Sequence, residues 1–361
     1  MSDEEKLSAI RDRIDALDQQ IQDLLNARAE AAQEVARIKL ASDPNAEFYR
    51  PEREAEVLRR VKERNTGPLD SEEIARLFRE IMSACLALEQ PLKIAFLGPE
   101  GTFTQAAALK HFGHSVTTIS LGAIPDVFRE VESGACHYGV VPVENSTEGV
   151  ISHTLDTFLN SPLSICGEVT LRIHHHLLSK AAALDQVKLI YSHQQSLAQC
   201  RGWLDRHMPH ADRIAVGSNA EAASLVTDKT NAAAIAGEAA AEIYQLPRLE
   251  RNIEDEPGNT TRFLVIGKKD AFQSGHDKTS LMFSMKNKAG GLHSLLAPLA
   301  EHGISMTRIE SRPSRRERWE YVFFVDIVGH RKDEKVAHAL ELLEQEATLF
   351  RVLGSYPKAV L

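Results

Sequence analysis

Apolar positions in the first forty residues recur with helical spacing. Ile10, Ile14, Leu17, Ile21 and Leu24 step by four, three, four and three, and Ala31, Val35 and Ile38 carry the step onward. Residues three and four apart share one face of an α-helix, so the pattern predicts one long helix from about Glu4 to Leu40. "SDPNAEFYRP" breaks it. Pro51 suits the first turn of a second helix, where its missing N–H has no intrahelical partner to lose. "NTGPLD" ends that one, and Asp70 or Ser71 caps a third with the stripe Ile74, Phe78, Ile81 and Cys85. Residues 1–91 thus read as all-helical. Three helices of this size make a thin core, which predicts a dimer that completes it.

At "EQPLKIAFLGPEG" the pattern changes. From 92 to 270, short apolar runs alternate with Ala-rich helical segments, as in an α/β unit. Strands are expected at 94–97, 139–143, 189–192, 232–236 and 263–266. "DAFQSGHDK" reads as a linker. From 278 to 361, "TSLMFSM", a Gly turn, a helix over 292–302, two strands around a polar loop, a helix over 333–347 and a last strand give the order βαββαβ. That is the ferredoxin-like order.

Composition narrows the function. The chain has 361 residues, enough for two or three domains, and is 43% hydrophobic. A net charge of −9 argues against nucleic acid as the main partner, since phosphate binding needs a basic face. "MSDEEKLSAI" is acidic and unlike a signal peptide, and no apolar run reaches the length of a membrane span. Cys85, Cys136, Cys166 and Cys200 are dispersed without a CxxC, which fits free thiols in a reducing cytoplasm. "RIHHHLL" invites a metal reading, but adjacent histidines on a strand point to opposite faces and cannot converge on one ion.

The helical seam carries an arginine where an apolar residue is due. Arg28 and Lys39 lie about three turns apart on one face. Arg50, Arg53 and Glu54 open the second helix, and Glu89 lies one turn past Cys85. Cations facing an interior either pair with local carboxylates or hold an anionic ligand, because isolated buried charge is very costly. Both outcomes fit the spacing.

At these residues, "IRDRIDALD…LLNARAEAAQEVARIKL", "PERE" and "LFREIM", the chain resembles the all-helical chorismate mutase domain of the bifunctional chorismate mutase–prephenate dehydratases. The resemblance implies that Arg28, Lys39, Arg50, Arg53, Glu54, Cys85 and Glu89 line a chorismate site, with Arg11 supplied by a partner subunit. The rearrangement of chorismate is pericyclic and needs no nucleophile. It needs two carboxylates held in a folded geometry and donors for negative charge on the ether oxygen, which cations supply. Family members often have Gln at Glu89, some have Asp at Arg50, and Cys85 replaces a Ser of the third helix. A glutamate donates only when protonated, so the expectation is either mutase activity that rises toward acid pH or a Glu89 pKa raised by an apolar setting.

In the central unit, "LGPEGTF" is a strand, a Gly loop and a helix capped by Thr102 or Thr104, and amides at such a start take anions. "VENS" places Glu144, Asn145 and Ser146 after a strand; "YSHQQSLAQC" repeats this with Ser192, His193 and Gln199; "NTTRF" brings Thr261 and Arg262 to the last strand. Ligands of open α/β sheets lie beyond the carboxyl ends of strands. The four motifs closely resemble prephenate dehydratase, implying a two-lobed, periplasmic-binding-protein-like fold. The implied reaction takes prephenate to phenylpyruvate with loss of CO2 and water. From pKa alone Glu144 or His193 is the acid, whereas the resemblance places the essential threonine at Thr261, with Thr102, Glu144, Asn145, Ser146, Ser192, His193, Gln199 and Arg262 around the substrate.

Finally, "NKAGGLHSLL" and "ESRP" resemble the ACT regulatory domain of the same proteins. This implies phenylalanine at a subunit interface, held by Gly290, Gly291, Leu292, Glu310, Ser311, Arg312 and Pro313, and feedback inhibition. The overall expectation is a cytoplasmic bifunctional enzyme of phenylalanine biosynthesis, a homodimer or larger, without metal or cofactor. Two rivals are a solute-binding sensor built from the two lobes, and a dehydratase whose helices only dimerise.

Overall fold

A computed structural model describes residues 2–44, 46–285, 289–313 and 321–361. Three helices come first: α1 (Asp3–Ser42), α2 (Pro51–Glu63) and α3 (Ser71–Glu89). Their starts follow local chemistry. Ser2 and Glu5 form a capping box on α1, Pro51 sits in the first turn of α2, and the Asp70 carboxylate caps α3 by accepting from the Glu72 N–H at 2.8 Å.

At 1.5 Å per residue α1 is about 60 Å long. Every residue from Ser2 to Ala27 is exposed, and Leu24 at the centre of the seam is 70% accessible. Among α1 residues only Ala36 is buried. The inner line of α3 is Ala75, Arg79, Met82, Ser83 and Cys85, whereas Ile74, Phe78 and Ile81 of the expected stripe are only half-buried. The helix is held between α2 and the central unit, so its buried line is shifted by one position. The small core of Leu58, Ala75 and Met82 is topped by Val360 and Leu361, from the far end of the chain.

The central unit has two sheets. One orders strands Thr117–Leu121, Lys93–Leu97, Tyr138–Asn145, Thr260–Gly267 and Ser164–Arg172, with Gly149–Val150 beside the third. The other orders Arg248–Glu250, His176–Leu178, Ala232–Ala236, Leu189–His193 and Asp212–Val216. The chain crosses from the first lobe to the second at 173–175 and returns at 251–259, leaving a cleft between them. All five expected strands form. The five-residue strand Thr117–Leu121 escapes the apolar pattern because it lies at a half-exposed edge, as does Asp212–Val216. Ser164–Arg172 escapes it because a buried charge, Glu168, interrupts its apolar run.

The last unit has the order βαββαβ: strand Asp277–Ser284, helix Gly291–Glu301, strands Met306–Pro313 and Tyr321–Val328, helix Glu334–Glu346 and strand Leu349–Pro357. Its first strand begins inside the expected linker, because Asp277 and Lys278 pair with Pro357 and Tyr356. The polar loop at 314–320 lies outside the described residues. One face of this sheet joins the central core: Met282, Phe324, Leu353 and Tyr356 pack with Ile165, Leu264 and Ile266. The approach is so close that a Cβ on Gly354 would lie 2.1 Å from the Ile165 carbonyl oxygen.

Candidate active sites

The first site lies where α1, α2 and α3 meet. Arg28 and Lys39 are half-buried on α1. The positive charge of Arg28 acts on both Glu54 and Glu89, and that of Lys39 on Glu89, so the four groups face one another. Lys39 Nζ is held 3.3 Å from the Glu47 carbonyl oxygen and 5.4 Å from the centre of the Phe48 ring. Burial lifts both the Glu54 and the Glu89 carboxyl above the usual range, with the cations pulling the other way.

The direct partner of Glu54 is Arg79, which the sequence reading missed. Arg79 is 7% exposed, its guanidinium hydrogen-bonds the Glu54 carboxylate, and its Nε finds no partner among the described residues. The available signal was an arginine on the inner line of α3, four residues after Ala75. Two expected cage members point elsewhere. Arg50 pairs with Glu52 at 2.5 Å and stacks over Phe272 at 4.5 Å, and Arg53 pairs with the exposed side of Glu56 at 2.6 Å. Cys85 is buried on α3. Arg11 lies on the projecting part of α1, about 25 Å from Arg28 along the axis, so it cannot reach the cage of its own chain.

The second site is a cavity of about 360 Å³ between the two lobes. Of the expected residues it is lined by Thr102, Asn145, His193, Gln199 and Thr261, joined by Phe103, Glu148, His175, Ser196 and Asn259. Gly101, at φ +85°, shapes the loop beneath it, and Thr102 caps the following helix.

The hydrogen bonds here have one possible direction. Asn145 Oδ1 accepts from the backbone N–H groups of Thr147 and Glu148, both at 3.0 Å. A backbone N–H can only donate, so the Asn145 amide cannot be flipped. Its Nδ2 therefore donates to Thr261 Oγ1 and to Asn259 Oδ1, each at 2.8 Å. Asn259 Nδ2 in turn donates to Gln199 Oε1 at 3.1 Å, and Gln199 Nε2 to Glu148 Oε1 at 3.2 Å. Thr261 Oγ1 is thus an acceptor within the protein, and its own proton is left for the cavity.

Four expected contacts are not in this cavity. Arg262 points through the sheet to the last unit: it donates to Glu168 at 2.8 Å, to Asp326 at 2.5 Å and to the Tyr356 hydroxyl at 2.9 Å. Alternation along a strand puts consecutive side chains on opposite faces, so Thr261 in the cleft forces Arg262 out of it. Glu144 also leans that way, 3.4 Å from Arg308. The Ser146 hydroxyl accepts from the Thr260 N–H at 2.9 Å, and buried Ser192 Oγ lies 2.9 Å from both Asn219 Oδ1 and the Ile235 carbonyl oxygen, which share its one proton, so both serines brace the walls. The three adjacent histidines diverge to Glu254, Gln199 and Glu238.

In the last unit, Ser284 and Arg312 both pair with Val322, so the turn at Gly290 and the 310–313 segment share one end of the sheet. Gly290 has φ +73° and precedes the buried Gly291. Arg312 turns to Asp156 of the central unit, at 3.1 and 3.2 Å, rather than to the Gly turn. The side chains of Glu310 and Leu292 are half-buried, and Ser311 and Pro313 are exposed.

Family models match three successive stretches: chorismate mutase type II over residues 10–90, prephenate dehydratase over 94–271 and the ACT domain over 279–344. The chain is 60% identical to the bifunctional chorismate mutase/prephenate dehydratase of Stutzerimonas stutzeri and 58% identical to that of Pseudomonas aeruginosa, covering all of both chains in each case. Among solved structures it is similar to prephenate dehydratase from Arthrobacter aurescens in complex with L-Phe, with 33% identity and a TM-score of 0.69, over 74% of this chain and 90% of that one. The helical cage, the two-lobed cleft and the ACT sheet are therefore parts of one known kind of enzyme: the chain belongs to the bifunctional chorismate mutase/prephenate dehydratase family.

Proposed function

We propose that the two reactions run in separate sites, within units at 1–91 and 92–270, and that phenylalanine bound to a unit at 278–361 inhibits the dehydratase. In the helical cage, Arg28 and Lys39 hold the carboxylates of chorismate in the folded geometry, with Lys39 and a protonated Glu89 placed for the ether oxygen. Glu54, kept in place by Arg79, faces the same space. Arg11 completes the site from a second copy, a reading supported by the exposed apolar seam that carries it. Arg50 and Arg53 serve the local ion pairs rather than substrate.

In the cleft, the ring hydroxyl of prephenate leaves as water while its ring carboxylate leaves as CO2, and the freed C–C electron pair completes the aromatic ring. Thr261 donates a hydrogen bond to the departing hydroxyl, and the proton that completes the water comes from solvent, so that no threonine alkoxide is left behind. The observation that carries this reading is the locked Asn145 amide: a hydroxyl that already accepts a hydrogen bond is polarised and turned into a donor. Thr102 and the helix start behind it suit a substrate carboxylate.

The ACT reading rests on the Gly turn and the 310–313 strand meeting at one end of the sheet, where free amides suit an amino-acid carboxylate and Leu292 suits a ring. Four buried, unpaired thiols fit a cytoplasmic enzyme. The test assays each step with its own substrate, following prephenate formed from chorismate and, separately, phenylpyruvate formed from added prephenate. Arg28→Ala should stop the first step only, and Thr261→Ala should cut the second by at least about a hundredfold. Equal loss of both steps in either variant refutes separate sites, and dehydratase turnover unmoved by added phenylalanine refutes the feedback.

A further inference from the structure

The dehydratase cleft contains a buried group for which the roles above have no use. His175 lies at the crossing between the lobes and is 1% exposed. Its main chain is pinned on both sides: its N–H donates to the Glu254 carboxylate at 2.9 Å, and its carbonyl accepts from the Ile253 N–H at 2.8 Å. Its Nε2 is 2.8 Å from Gln199 Oε1, and its Nδ1 is buried with no partner among the described residues.

The direction of the network decides which nitrogen carries the proton. Gln199 Oε1 faces His175 and Asn259 Nδ2, while Gln199 Nε2 faces the Glu148 carboxylate. Flipping this amide would set NH2 against the Asn259 NH2, and oxygen against carboxylate. Gln199 Oε1 is therefore an acceptor, and His175 must be the Nε2–H tautomer. A second proton would go to Nδ1, where nothing receives it, and burial indeed holds the imidazole below its ordinary pKa.

We infer that His175 is a positioning residue of the dehydratase, which, as a neutral Nε2–H donor, fixes the side chain of Gln199 across the cleft. Gln199 stands on the second lobe, Glu148 on a loop of the first and Asn259 on the returning crossing, so one amide ties three segments together. With two donors on its oxygen, Gln199 cannot turn over. Asn259 then keeps its own amide in the orientation that accepts from Asn145, the residue that orients Thr261. His175 touches neither Thr261 nor the space for the leaving group, and it acts through this chain. The unpartnered Nδ1 is the residual cost of that single tautomer, tolerated because the donor is needed on the other side of the ring.

The inference rests on the reading of Thr261 as the dehydratase donor, and two substitutions separate it from a packing role. The His175 ring also stands edge-on to Phe103 at 5.6 Å between centroids. If packing is its task, His175→Phe is the better replacement. If donation is, His175→Gln is, since a glutamine Nε2 can occupy the place of the histidine Nε2. In the full-length enzyme, dehydratase kcat should fall about ten- to hundredfold in His175→Phe, recover most of the way in His175→Gln and leave mutase turnover unchanged in both. The reverse ranking, or equal kcat in the two variants, overturns the inference. If His175→Phe unfolds, the ring nitrogen shifts of the wild-type enzyme in 15N NMR still decide: a protonated Nε2 and bare Nδ1 are expected, and the opposite tautomer refutes the chain. Thr261→Ala run alongside keeps the two readings apart, because retained dehydratase turnover there would refute the site itself.

Discussion

Thr261 and Arg262 are consecutive on one strand, and their side chains serve different domains. Thr261 Oγ1 meets Asn145 in the cleft, while Arg262 joins Glu168 to Asp326 and Tyr356 of the ACT sheet. The register of the strand against its neighbour shifts immediately after Arg262. Lys278 adds a second cation to Glu168 at 2.9 Å. Thr261 is therefore one peptide bond from the clasp that joins the central unit to the ACT sheet.

Replacing Arg262 by Met should leave Glu168 and Asp326 buried against a single remaining cation. Breaking a buried pair in this way costs about 3–5 kcal/mol, so a denaturant titration should show a loss of that order, with Arg262→Lys intermediate because an ammonium cannot reach all three partners. A raised KM with unchanged stability would instead return Arg262 to the substrate.

Glu89 is expected to give the mutase a pH dependence. Burial raises its carboxyl, with Lys39 and Arg28 opposing. A raised pKa keeps the donor form present to higher pH, and turnover should fall as pH rises through that pKa. Glu89→Gln donates at every pH, so its mutase profile should be flat over the same range. A profile the substitution does not change would remove Glu89 from the mechanism.

Arg79 should matter as much as the residues that face substrate. Arg79→Met leaves the Glu54 carboxylate buried without its hydrogen-bonded partner, and is expected to cost about 3–5 kcal/mol of stability together with mutase turnover. Adding Glu54→Gln removes the stranded charge and should recover stability without recovering turnover. Unfolding curves and mutase assays on the single and double variants check both halves.

The apolar seam of α1 makes a separate prediction about assembly. Ile14 is 50% exposed and Leu17 is 47% exposed in the single chain. If Arg11 completes the site from a second copy, the double substitution Ile14→Glu with Leu17→Glu should shift sedimentation toward smaller species and abolish mutase turnover. Dehydratase turnover should persist. Arg28→Leu, in contrast, should sediment and fold as the wild type does and lose only the mutase.

Much of this molecule was legible in its residues. Helical and strand periods, a Pro at a helix start and an Asp at a cap act within a few residues of chain, so three helices, five strands and the βαββαβ order follow from local pattern. Arg28 and Lys39 were legible too, because a cation in an apolar seam is a local contradiction. What the tertiary structure decided were the partners of charged and polar groups. Arg79 joins Glu54 across two helices, Arg262 faces the ACT sheet rather than the cleft, and His175 reaches Gln199 of the second lobe from the first crossing. A side chain's hydrogen-bond partner depends on segments distant in sequence, and sequence period says which face a residue occupies without saying what lies opposite. Thr261 shows the division well. Its motif marks it from the sequence, but only the folded network of Asn145, Asn259 and Gln199 determines that its hydroxyl accepts from Asn145 and keeps its own proton for the cavity.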